Sequence, residues 1–110
     1  MAVTIVALIE SSDAPNAQTT KYTAPALTRT IIDAFTALNT TGGALTLSVN
    51  LVPSGGTAGA TNLLVNKSLA SGERYSVPAV IGQYLMAGDF ISVLASATGI
   101  TIRASGREVT

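Results

Sequence analysis

Cysteine, histidine and tryptophan are all absent from the 110 residues. Without cysteine there is no disulfide, no thiolate zinc site and no thiol nucleophile, so the fold must hold by packing alone. Without histidine the commonest general base near neutral pH is gone, and with it most transition-metal sites. Charge is scarce too: Asp, Glu, Lys and Arg make up 11% of the chain, less than half the roughly 25% of ordinary soluble domains. Six basic residues balance six acidic ones and are scattered, so no basic stripe exists to track nucleic acid. No apolar run approaches the ~20 residues of a membrane helix, and no membrane partner is expected. The opening Met1–Ile9 has no Lys or Arg before its apolar run and is cut short by Glu10, which argues against a signal peptide.

Hydrophobic residues make up 47% of the chain, which leaves Thr, Ser, Asn, Gly and Ala to cover most of the surface. A surface with so little charge gives little self-repulsion and suits an assembly, the alternative being a monomer coated in Thr and Ser. The length fits one domain spanning residues 1–110, able to bury about 60–70% of its unfolded surface.

The β-branched run Ala2–Ile9 reads as a strand that ends at the turn residues Ser11–Asn16. Thr19–Thr23 and Thr28–Leu38 read as further strands, the second closed by the turn Thr40-Thr-Gly-Gly43. Ala44–Val52 alternates, with Leu45, Leu47, Val49 and Leu51 on one face and Thr46, Ser48 and Asn50 on the other, as a half-buried strand should. Pro53–Gly59 must be a loop. Asn62–Leu69 and Glu73–Val77 flank Ala70-Ser-Gly72 as a hairpin, with Gly72 supplying a positive φ. Ala79–Ala87 suits either an irregular strand or one helical turn. Phe90–Ser96 and Ile100–Ala104 form a second hairpin around Thr98-Gly99. About eight short strands follow, the pattern of a single-domain antiparallel β-sandwich, jelly-roll or Ig-like. The expected core is Ile32, Phe35, Leu45, Leu47, Val49, Leu51, Phe90, Val93, Ile100 and Ile102. Ile32 and Phe35 have opposite parity, so one of them is expected to face a partner.

No constellation for catalysis stands out. Glu73 with Asp89, or Asp33 with Asp89, could form the carboxylate pair of a glycosidase, but their spacing is that of solvated turn residues. Asp13 and Asn16 lack the further ligands of a calcium loop, and Gly55, Gly56 and Gly59 lack the Lys and helix of a phosphate cradle. No cofactor or metal is expected. Of the five aromatics, Phe35 and Phe90 read as core, while Tyr22, Tyr75 and Tyr84 are too dispersed to form a binding platform.

Tyr22-Thr-Ala-Pro25, Arg29-Thr-Ile-Ile-Asp33, Leu45-Thr-Leu-Ser-Val-Asn-Leu-Val-Pro-Ser-Gly-Gly56 and Ile102-Arg-Ala-Ser-Gly-Arg-Glu-Val109 together resemble small virion proteins of tailed bacteriophages, of the kind that decorate or cement capsids or adorn the neck and tail. The resemblance covers roughly residues 20–110 and is one of texture and phrase order. It implies a compact β-sandwich, often a homotrimer, that is made in the host cytoplasm, joins the virion and reinforces it without catalysis. Its partners would be further copies of itself and the major capsid protein or other virion proteins. A receptor- or carbohydrate-binding module of a tail fibre or neck is the alternative.

Both faces of the first strand are largely apolar, so Val3, Ile5 and Ala7 are expected at an interface between subunits. Residues 1–12 would then be an N-terminal strand or arm. Residues 104–110 would form a C-terminal arm whose contacts, with the adjoining Arg103, are Arg107 and Val109.

Overall fold

A computed structural model describes residues 2–110. Among them are nine strands: β1 (Val3–Asp13), β2 (Thr19–Thr23), β3 (Arg29–Asn39), β4 (Leu45–Val52), β5 (Leu63–Leu69), β6 (Arg74–Ser76), β7 (Tyr84–Leu85), β8 (Phe90–Ala95) and β9 (Ile100–Val109). One sheet has the order β1-β9-β3, with β6 and β7 both pairing to β3; the other has the order β2-β8-β4-β5. Every pair is antiparallel, and the pairing is nested: β4 with β5, β3 with β6 and β7, β2 with β8, β1 with β9. The chain is thus one long hairpin with its tip at β4–β5, rolled up so that successive pairs fall in opposite sheets. That is a jelly roll, the first of the two sandwich types the sequence allows.

Nesting corrects both expected hairpins. β5 and β6 lie in different sheets, as do β8 and β9, so Ala70–Gly72 and Thr98-Gly99 carry the chain across the sandwich. Gly72 does have the expected positive φ, 72°. β1 also runs on through Ser11–Asp13, because pairing with Thr101 and Ile102 of β9 overrides the turn propensity of those residues. The C-terminal segment is likewise no free arm: residues 104–109 belong to β9, paired to β1 on one side and β3 on the other. Of the N-terminal segment, Met1 lies outside the described residues.

The core forms where the inner faces meet. Ile32, Phe35, Leu47, Val49, Val93, Ile100 and Ile102 are all fully buried, joined by Leu8, Ile9, Leu69, Val77, Val80, Leu85 and Ile91. Leu45 and Leu51 are half-buried against it. Phe90 departs from expectation. It pairs with Val52, whose parity is opposite to that of Leu47 and Val49, and so lies on the other face of its sheet. There the Pro53–Asn62 connection folds back over Val52 and Asn50, pinned by hydrogen bonds from Asn50 Nδ2 to Gly59 O (3.0 Å) and Asn62 Oδ1 (2.7 Å).

The parity conflict between Ile32 and Phe35 resolves without a partner. Ile32 pairs with Gly106 and Ala34 with Ser105, which leaves Asp33 as the extra residue of a β-bulge. Asp33 and Ala34 are both exposed, so the alternation restarts and Phe35 returns to the core. A second bulge lies opposite the same part of β9, between Ala7, paired with Ser105, and Ile9, paired with Ala104; it turns Leu8 and Ile9 inward together. Gly106 stands between the two bulges. A Cβ there would run into the carbonyl oxygen of Ile31 and come within 3.0 Å of Leu8 Cδ1. The strand kinks converge on the one position of β9 where a side chain has no room.

Candidate assembly interface

Successive residues of β9 point to opposite sides, so Arg103, Ser105, Arg107 and Val109 face outward while Ile102, Ala104 and Gly106 face the core. The pairing register then builds rows across the outer face of this sheet. Ile5, Arg107, Ile31 and Tyr84 form one row, and Val3, Val109 and Arg29 the next. Val3, Ile5 and Tyr84 are exposed, Ile5 to 83%. Beside them a shallow groove of about 510 Å3 is lined by Arg29, Ile31, Gly82, Tyr84, Met86 and Val109. A neighbouring one of about 410 Å3 shares Arg29, Met86 and Val109 and ends at Leu27.

This end of the sheet is therefore a largely apolar strip, interrupted by Arg107 and Arg29. Within it, Asp33 takes hydrogen bonds from Arg107 Nε and Nη2, each at 3.0 Å. That pairing raises the pKa of the guanidinium above its usual value. Both side chains are solvated, so the pair fixes orientation more than it adds stability.

Leu27 has the most unusual backbone of the strip. Its φ is 58°, the one positive value outside glycine among the described residues, a conformation that costs roughly 1–2 kcal/mol for a side-chain-bearing residue. The β2–β3 loop that carries it is tied down by Ala24 N to Asp89 O (2.9 Å) and Gly88 N to Ala24 O (3.0 Å).

Beneath the strip, on the inner side, Tyr22 of β2 bridges the two sheets. Its hydroxyl donates to Glu108 Oε2 at 2.6 Å and lies 2.8 Å from Thr30 Oγ1. Partial burial, then the hydrogen bond to Glu108, push the phenol up to about 12. The fold thus favours the neutral phenol. Its contribution is complete below the unfolded value of about 10 and is lost as pH rises through the folded value. Denaturation of the native protein and of Tyr22→Phe, compared over that alkaline window, should show the native protein losing stability faster. Parallel curves would mean that the bridge does not couple to folding.

Of the residues expected at an interface, Val3, Ile5, Ala7, Arg107 and Val109 come together on this face. Arg103 points the same way but lies toward the far end, where it pairs with Thr36 and shares a shallow hollow with Arg74 and Ser11. The carboxylates weighed for catalysis hold local structure. Asp89 accepts from Ser54 N and Met86 N, and Glu73 accepts from Ala70 N. No group of three or more Asp, Glu, His or Cys residues able to hold a metal occurs among the described residues. Sequence reasoning missed Leu27, Tyr84 and Met86 as contributors to the strip. β7 is only two residues long, and nothing in Pro25-Ala-Leu-Thr28 announces a left-handed leucine.

No protein-family model matches the chain, and no curated protein matches it in sequence. Among solved structures it is similar to a subunit of the disulfide-linked pili that form Bacillus endospore appendages. The likeness has a TM-score of 0.57 at 13% identity and covers 98% of this chain and 88% of the pilus chain. It also overlays on a chain of the T13 IBDV viral particle, with a TM-score of 0.49 at 13% identity, covering 97% of this chain and 30% of the viral one. The likeness to the pilus subunit is one of fold.

Proposed function

We propose that this chain is a non-enzymatic structural subunit of a phage virion, which self-associates and adds to the outside of a preformed shell to stabilise it. The observation that carries the reading is the outer face of the β1-β9-β3 sheet. Val3, Ile5, Tyr84 and Met86 lie exposed there, with half-buried Val109 among them, in a protein whose core is already complete. Exposed apolar surface of that extent on a small domain is a contact surface. The resemblance of Arg29–Asp33 and Ile102–Val109 to virion proteins supports the shell as destination, and the carboxylates spent on turns support the absence of chemistry. Val3, Ile5, Ala7, Arg107 and Val109 are the contact residues in this reading, with Arg103 at its flank. Each contact can be weak, because a subunit held at several lattice points gains about 10²–10⁴ in avidity.

A fibre is the second reading, favoured by the whole-chain likeness to a pilus subunit. A chain without cysteine would have to polymerise non-covalently. The test compares particles with and without the protein under heat or low salt. Shells that lose integrity sooner without it support the shell reading. Equally robust shells, with the purified protein forming filaments under the electron microscope, replace it with the fibre.

A further inference from the structure

We propose that Leu27 is the anchor of a two-fold contact between copies of this chain, each leucine entering the groove of Ile31, Tyr84, Met86 and Val109 on the other copy. The inference rests on the self-association proposed above and specifies its contact.

Three observations lead to it. Leu27 is 92% exposed, more than any other large apolar side chain described, and it is held on a left-handed backbone that glycine would adopt without strain. A leucine that is both strained and solvated gains nothing within its own subunit; such outliers persist where another contact uses them. Next, the projecting side chain and an apolar groove lie side by side, with Arg29, Met86 and Val109 common to both hollows. A two-fold axis passing through those shared residues carries each Leu27 onto the other copy's groove. Self-complementarity of one patch is what an isologous interface requires, and it selects a pair rather than a three-membered ring.

The available area is also of the right order. Strands β1, β9 and β3 of 11, 10 and 11 residues, with the short β6 and β7 of 3 and 2, give at about 3.3 Å per residue and about 4.8 Å per strand an outer face of roughly 600 Å2. Specific stable interfaces begin at about 600 Å2 per partner. The Arg29 head groups would approach one another near the axis, but the residue is exposed and its stem is long enough for the charge to stay in water.

Two measurements test the contact. Leu27→Gly keeps the turn and relieves its strain, so at a dilution where both proteins are monomeric it should melt no earlier than the native one, while its dissociation constant by sedimentation rises by about tenfold or more. The absence of cysteine also makes disulfide trapping clean. When Leu27→Cys and Tyr84→Cys proteins are mixed in equal amounts and oxidised, the mixed dimer should exceed either like-with-like dimer by well more than the twofold excess that random pairing gives. If the native protein associates and Leu27→Gly associates just as tightly, or if the mixed disulfide does not rise above its random share, the Leu27 contact is overturned while self-association stands. A native protein that stays monomeric at every concentration overturns both.

Discussion

Replacing Gly106 with alanine is expected to cost more than about 3 kcal/mol of folding stability, at or beyond the top of the usual range for overpacking. The new methyl would meet the Ile31 carbonyl oxygen and the Leu8 side chain. Leu8 could adjust its rotamer, but the carbonyl belongs to a strand paired on both sides and cannot turn away without breaking register. A domain of this size has only about 5–15 kcal/mol in hand. Urea unfolding of Gly106→Ala beside Ser105→Ala, its half-buried neighbour, separates this effect from a general intolerance of β9 to change. A Gly106→Ala midpoint equal to the native one would mean that β1 and β3 do not bulge against this position.

Phe35→Ala should cost about 3–5 kcal/mol, the range for deleting a fully buried phenyl ring. Phe35 is the largest of the fully buried side chains, and it is buried only because the Asp33 bulge resets the alternation of β3. Were Phe35 instead turned toward a second subunit, the loss would shrink as the protein is diluted. Unfolding measured over a wide range of protein concentration should therefore give the same large loss throughout.

What could be read from the sequence was whatever depends on one strand in one environment. Leu45–Val52 alternates because its inner face sees only core, and the Thr40–Gly43 turn follows from its composition. Crossovers were illegible for a definite reason: a positive-φ glycine such as Gly72 reverses the chain equally well within a sheet or between sheets, and only the nested pairing decides which. The bulges were hidden because an extra residue in β3 becomes visible only beside Gly106, more than 70 positions away. Of the candidate interface, Val3, Ile5 and Ala7 were legible as apolar residues on a face the core did not need. Leu27, Tyr84 and Met86 were not, since a left-handed leucine contradicts local propensity and a two-residue strand leaves no periodicity.

The rolled hairpin also decides how the molecule meets force. Ala2 and Thr110 exchange backbone hydrogen bonds side by side, so tension applied through those two residues would peel β1 from β9 one rung at a time, as a zipper opens. Load arriving through the outer face meets a different object. Six of the eight connections cross from one sheet to the other, so the two layers are tied together covalently at both ends of their strands and resist being pulled apart. A sandwich built this way yields to a pull through Ala2 and Thr110 and is stiff across its faces.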